Sequence, residues 1–471
     1  MDFLKMVKDF FKKQAIKRFI TYLAYANKKN IIRLTKFVEK MTPLPEDKER
    51  IRIVRRYFEQ DHPSVKYALK VLHDLHPNCR DKFSVNFILN HLLIANGVRE
   101  KFRVEEGFQP PMTILVSPTM RCNLRCTGCY ASEYGKEQDM EPELFNKIIK
   151  EGKEIGCYFY TILGGEPFLY KPLFEIMKEH NDAYFQIFTN ATLIDEAILK
   201  NLTRLGNAAI MTSVEGSEEE TDARRGKGVY QKIMEAMDGL RSAGILSGFS
   251  VCVTKNNVES VTSDRFIDLM IEKGAYIGWY FLYMPVGRNP STELMPTPQQ
   301  RLYLKQRRDY IRDNKPIFII DFWNDAPFVR GCIAGRQFIH INSKGDIEPC
   351  IFMHFATHNI KNTGLREVLK SSPFFKFIKN LQPYNDNLYL PCTIIDNPDV
   401  LRSAVKTTRP YPTHEGAESI VNDSGICLDL DRYSQEVGMV YKEVRNEEVL
   451  KGMWKTAIKE TQEKRAGKIK D

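Results

Sequence analysis

The sequence predicts an α/β protein: a parallel sheet of six β/α units, an all-helical region before it and a small α+β region after it. Three observations predict this. From residue 112 onward, apolar β-branched runs alternate with amphipathic helical stretches, which implies a parallel sheet with right-handed crossovers. Residues 1–110 show helical period throughout. After residue 316 the strands become short and are separated by Gly and Asn-Ser turns, so a second small domain is expected over 316–440, with a charged helix and Lys-rich tail over 441–471.

The helical region opens on residues 1–40. Leu4, Val7, Phe11, Ala15, Phe19 and Leu23 recur at steps of three and four, and Lys5, Lys8, Lys12, Lys13, Lys17 and Arg18 fill much of the remainder. This segment holds eleven Lys or Arg against three Asp or Glu, nearly all of the chain's net charge of +9. Basic residues opposite Phe and Leu fit a helix lying in a membrane interface. They fit equally a domain helix with a solvated basic face. Helices over 63–76 and 85–97 follow, and residues 107–111 lead out of a domain spanning 1–110.

The central region, 111–315, carries strand patterns over 113–117, 158–163, 184–188, 208–214, 249–253 and 278–284. Helical patterns over 143–155, 171–180, 195–205, 230–243 and 261–273 separate them, and a polar helix over 297–314 closes the region. In barrel-type α/β folds, ligands bind on the loops after the strands' carboxyl ends. The motifs described below fall at such ends.

Composition narrows the class. A hydrophobic content of 43% and a charged content of 27% are those of a globular protein. No apolar run approaches the roughly 20 residues a spanning helix needs. Lysines interrupt the N-terminal apolar stretches, so no signal peptide is read and a cytoplasmic location is expected, with a peripheral position on the inner membrane face if residues 1–40 bind lipid. The basic charge is confined to one amphipathic segment, and no nucleic-acid partner is expected. Ten cysteines in such a chain argue for metal ligation rather than disulfides. Cys79, Cys157 and Cys252 lie in apolar helical or strand settings and are expected in the core.

Cys122, Cys126 and Cys129 follow the first strand in a C-x3-C-x2-C spacing. Thiolates this close suit an iron–sulfur cluster or zinc. No fourth ligand follows at short spacing, which suggests a cluster with one iron left open. A zinc knuckle completed by a distant residue is the alternative. After the second strand comes the run Gly164, Gly165, Glu166, Pro167, whose glycines permit close backbone approach and whose carboxylate can accept from an ammonium.

This pair of motifs, in this order, resembles the radical S-adenosylmethionine (SAM) superfamily. The resemblance covers about residues 112–430 and implies a partial (β/α)6 TIM-type barrel. It also implies that the three cysteines hold a 4Fe–4S cluster whose open iron binds SAM. Reductive cleavage of SAM then gives a 5′-deoxyadenosyl radical that abstracts hydrogen from an unactivated carbon of a substrate. The chain is thus expected to be an oxygen-sensitive enzyme taking electrons from reduced ferredoxin or flavodoxin. Glu166 stands where the family holds the SAM amino group. Asn190, at a later strand end, is placed to reach ribose hydroxyls. The stretch holding Ser213, Val214, Glu215 and Gly216 resembles the family's Ser-x-Asp-Gly, with Glu215 in place of Asp. Arg225 lies where relatives place an arginine near the SAM carboxylate, with Arg224 as the competing assignment. Gly128 occupies a position where many relatives carry an aromatic, so Tyr130 is expected to supply the adenine contact.

The region after 316 resembles the start of the SPASM extension: Gly331 and Cys332, then Gly345 to Cys350 in a Gly-x4-Cys spacing. The resemblance makes the small C-terminal α+β domain cluster-binding. Cys332, Cys350, Cys392 and Cys427, the last two read in loops, would suffice for one auxiliary 4Fe–4S cluster. A zinc site, or a cluster lacking Cys427, remains the alternative. Asp321, Asp325, His340, Glu348, His354 and His358 are candidate bases or substrate ligands only, and 283–287 is expected to line the substrate side. A membrane lipid is the favoured substrate on the strength of residues 1–40. A SPASM-type peptide or protein maturase, and a non-catalytic iron–sulfur electron carrier, are the rival readings.

Overall fold

A computed structural model describes residues 28–41, 45–135 and 139–450. The expectations for residues 1–27 and for the tail beyond 450 lie outside the described residues. No described helix is long and apolar enough to cross a membrane.

One nine-stranded sheet dominates the molecule. Its strands are β1 (Thr113–Val116), β2 (Phe159–Ile162), β3 (Tyr184–Thr189), β4 (Ala208–Ser213), β5 (Ser247–Val253), β6 (Ile277–Leu282), β7 (Phe318–Asp321), β8 (Phe338–Ile341) and β9 (Ile347–Glu348), in the spatial order β7-β6-β5-β4-β3-β2-β1-β8-β9. Every pairing from β7 to β8 is parallel, and only β8 and β9 run antiparallel. The six expected strands stand in sequence order, as a partial barrel requires. The sheet does not stop at residue 316. β7 pairs with β6, and β8 pairs with the opposite flank at β1. The region read as a separate domain therefore extends the barrel sheet at both sides before it forms its own hairpin.

Alternation explains the two faces. Phe249, Val251 and Val253 of β5 are buried in the same cluster as Ile233, Met237, Ile267 and Met270 of the outer helices. Ile114, Val116, Tyr160 and Ile162 do the same for β1 and β2. Their neighbours on the other face include Ser250, Cys252, Trp279 and Phe281. The helix expected over 261–273 is broken in two, Val258–Thr262 and Asp264–Glu272, because Ser263 caps the second piece.

The N-terminal helices close the amino end of the sheet. Phe87, on the helical stretch Phe83–Ile94, meets Phe159 at 5.1 Å and Tyr184 at 5.8 Å, the first residues of β2 and β3. Arg99, 2% exposed, donates to the carbonyl of Gly156 at 2.6 Å. Access is left to the carboxyl end, where the motifs lie.

Candidate functional site: two cysteine groups at the carboxyl end of the sheet

The first cysteine loop is zipped to the loop after β2. Gly165 N–H donates to the Thr119 carbonyl at 2.9 Å and Glu166 N–H to the Arg121 carbonyl at 2.8 Å. Gly164 has φ of +119°, and a Cβ on Gly165 would overlap the Arg121 carbonyl. The two glycines are thus required by the cysteine loop itself, whose backbone lies against them. Thr127 N–H donates to the Arg224 carbonyl at 2.9 Å, tying the loop's other side to the short helix Glu218–Arg225.

Glu166 is fully buried and central. It accepts from the Thr189 hydroxyl at 2.8 Å, the Asn190 amide at 2.8 Å and the Phe168 amide at 3.1 Å. Burial pushes its carboxyl up to about 6, against those donors. Asn190 donates its side-chain amide to Asn123 at 2.9 Å and toward the Cys122 sulfur at 3.7 Å. Ser213 Oγ lies 3.2 Å from Ser250 Oγ.

Glu215, 1% exposed, gathers both arginines, accepting from Arg224 and from Arg225 Nε at 2.9 Å. Its second oxygen accepts the Cys252 amide at 3.1 Å. The pair of guanidiniums flanks Cys126, whose thiol burial pushes up while the arginines pull it down. The longer Glu side chain therefore orients two arginines, and Arg225 is engaged by Glu215 rather than standing free. Cys79 and Cys157 are buried as expected, and Cys252, half-buried, packs at the edge of the core with its amide on Glu215.

Gly128 has its own reason. With φ of +63°, a Cβ there would sit 2.6 Å from the ring of Tyr283 at the end of β6. An aromatic from another strand fills the space beside the position where relatives carry one. Tyr130 packs edge-on against Phe352 at 5.4 Å, two residues past Cys350.

The second group assembles Cys332, Cys350 and Cys392. Burial pushes all three thiols up, Cys350 to about 12, and Cys332 adds to the effect at both partners. Each sulfur accepts the amide two residues ahead: Ala334 at 3.4 Å, Phe352 at 3.5 Å and Ile394 at 3.3 Å. Cys122 accepts Leu124 N–H at 3.4 Å in the same way. Amides aimed at sulfur favour the thiolate over the thiol, so buried, clustered sulfurs of this kind fit a soft cationic centre. Among the described residues no three His, Cys, Asp or Glu side chains gather tightly enough for a single metal ion. A cubane cluster takes each thiolate on a different iron, so it asks for no such convergence.

Cys427 is set differently from these three. It lies in the first turn of the helix Ser424–Leu450, not in a loop, with its sulfur 3.8 Å from the Ile420 carbonyl. A neighbour the sequence reading missed is Asp396. It accepts the Cys392 amide at 3.0 Å and forms a fully buried ion pair with Arg301. Nothing local in sequence links residues so far apart. Of the secondary candidates, Asp321 and Asp325 are bound by Asn324, Arg308 and Arg312, and His358 by Thr357.

Comparison with known proteins agrees with this geometry. Residues 116–266 match the radical SAM superfamily, and residues 332–393 match an iron–sulfur cluster-binding domain, SPASM. The chain thus carries a radical SAM domain, the mark of an enzyme of that class. Within the class it carries the SPASM extension, and its cofactors are those of both domains: a 4Fe–4S cluster with SAM, and auxiliary iron–sulfur. An AdoMet-dependent heme synthase of Methanosarcina barkeri is 24% identical over 299 residues, covering 57% of this chain and 85% of the relative. A PqqA peptide cyclase of Granulibacter bethesdensis is 24% identical over 318 residues, covering 62% of this chain and 81% of the relative. Among solved structures, Streptococcus suis SuiB bound to precursor peptide SuiA shares the fold with a TM-score of 0.50 at 16% identity, over 66% of this chain and 82% of that one.

Proposed function

We propose that this enzyme is a radical SAM maturase that modifies a peptide or protein substrate by an oxidative change at carbon. The observation that carries the reading is the second cysteine group, standing across Tyr130 and Phe352 from the first. Hydrogen abstraction leaves a carbon radical that reaches an oxidised closed-shell product by losing one more electron and a proton, and a cluster held by the second group would accept that electron. Similarity to a peptide cyclase and to a peptide-bound structure supports the substrate class.

When bound, the first cluster with SAM supplies the hydrogen-abstracting radical. In this reading Cys122, Cys126 and Cys129 hold that cluster. Glu166 receives the SAM ammonium, with Gly164, Gly165 and Pro167 shaping its loop, and Asn190 and Ser213 face the nucleoside side. Arg224 and Arg225, oriented by Glu215, offset the thiolate charge near Cys126. Cys332, Cys350 and Cys392 hold the auxiliary site. Reduced ferredoxin or flavodoxin is the electron donor.

The expectation of a lipid substrate rests on residues 1–40, of which only 28–40 are described, and the comparisons lend it no support. The deciding experiment is paired peptide and lipid profiling of a strain lacking this protein. A peptide whose mass reverts to its unmodified value in the deletion strain is the expected result. A change confined to lipids would overturn the proposal and restore membrane contact through residues 1–40.

A further inference from the structure

The joint between the barrel and the Cys350 hairpin is polar, buried and continuous. Its hub is Glu348, with no exposed surface. One carboxylate oxygen accepts from the Tyr134 hydroxyl at 2.9 Å, from the Thr413 hydroxyl and from the Asn342 amide at 3.4 Å. The other meets His340 Nδ1 at 2.5 Å, and His340 Nε2 lies 2.8 Å from Ser117 Oγ. The Tyr134 ring packs edge-on against His414 at 4.6 Å and His354 at 5.1 Å. None of these side chains is more than 7% exposed.

Ser117, His340 and Glu348 stand in the order of a hydrolase relay. Ser117 is 1% exposed, however, and no substrate can reach it. Topology offers a better account. Ser117 follows β1 and directly precedes the first cysteine loop. Tyr134 closes that loop after Cys129. Asn342 and Glu348 belong to the β8–β9 hairpin that leads into Cys350. Thr413 and His414 brace the hairpin from outside, just past a short antiparallel pair, β10 (Phe355–Ala356) with β11 (Tyr411–Pro412).

We propose that Ser117, His340, Glu348, Tyr134 and Thr413 form a positioning spine that fixes the separation and orientation of the two cysteine groups, and so of the clusters they hold. The inference rests on the two-cluster reading above. A buried carboxylate with four donors is rigid, because each hydrogen bond is costly to leave unmade in a low dielectric. Partners behind the ligands are what orient ligands. Tyr134 cannot rotate away without costing Glu348 one of its four donors, and the hairpin carrying Cys350 cannot tilt without breaking the bond to Tyr134.

The test is electron paramagnetic resonance of the full chain, reconstituted anaerobically with iron and sulfide and reduced with dithionite. Magnetic coupling between two centres falls steeply with distance and depends on orientation, so it reads the geometry the spine is proposed to set. The wild type should give two cluster signals with mutual broadening. Tyr134→Phe and Thr413→Val each delete one hydroxyl from Glu348 and keep the shape. Both should retain iron for two clusters while the mutual broadening shifts or is lost, and Thr413→Ser should keep the wild-type spectrum. Iron and broadening both unchanged in Tyr134→Phe and Thr413→Val would overturn the proposal and leave a purely structural network. If Tyr134→Phe fails to fold, the Thr413→Val and Thr413→Ser pair decides alone. A single cluster in the wild type would overturn the two-cluster reading, and the spine with it, before any variant is made.

Discussion

Cys122, Cys126 and Cys129 lie in one loop between β1 and the following helix, whereas Cys332, Cys350 and Cys392 come from three separate turns. Both groups share a local device, the amide two residues ahead aimed at sulfur, at Cys122, Cys332, Cys350 and Cys392. They differ in what holds the turns together. The first group depends on backbone hydrogen bonds to the Gly164 and Gly165 loop. The second depends on buried side chains, above all the pair of Asp396 and Arg301. A site written into one loop tolerates change elsewhere; a site assembled from three segments inherits the stability of every contact between them.

The largest effect should come from breaking the first group. Cys122→Ala, Cys126→Ala or Cys129→Ala is expected to abolish 5′-deoxyadenosine formation from SAM under dithionite. Retained cleavage in any of the three would remove that loop from the chemistry.

The second group should lose its cluster when any one of its cysteines is removed. Cys332→Ala, Cys350→Ala and Cys392→Ala are each expected to lower anaerobic iron content by about one cluster, taking four irons per cluster. Cys427→Ala should leave iron content unchanged. Iron loss in Cys427→Ala equal to that in Cys392→Ala would show that four thiols, not three, hold the auxiliary site.

The comparison of holding forces gives a stability prediction. Asp396→Ala leaves Arg301 buried and unpaired, which should cost about 3–5 kcal/mol. Anaerobic denaturant unfolding measures it, and a change of less than about 1 kcal/mol would mean that water or another group replaces Asp396.

The smallest effect separates the groups by pH. The carboxyl of Glu166 is pushed up to about 6 by burial. Below that pH it is protonated and cannot pair with an ammonium; above it, it is charged and can. SAM affinity should therefore fall about tenfold per pH unit below that point. Iron content of both groups should stay constant over the same range. Titration of the loaded protein with SAM across a pH series checks this, and a flat profile would take the ammonium contact away from Glu166.

Much of the barrel was legible in the sequence because parallel strands buried on both faces write continuous apolar runs between amphipathic helices. The order of β1 to β6 and the position of each motif at a strand end follow from that. The extension of the sheet by β7 and β8 was not legible. Short strands carry no address, and their partners at β6 and β1 are chosen by which edges of the partial barrel are open. Cys252 illustrates the same limit at one residue. Its apolar neighbours Val251 and Val253 face the helices, and Cys252 packs at the edge of the core with its amide on Glu215, a contact that only the register of β5 decides.

What the sequence by itself determined is the chemistry of the first site: spacing within one loop, and the paired glycines that let a second loop lie against it, are local and survive any packing. What the tertiary structure decided is membership and alignment. It brought Cys350 and Cys392, far apart in the chain, to Cys332. It gave Glu215 to two arginines, and it placed Glu348 between Tyr134 and His340. These are contacts between residues far apart in the chain, and their partners are fixed by burial: a charge or amide removed from water must find whatever donor the fold brings to it.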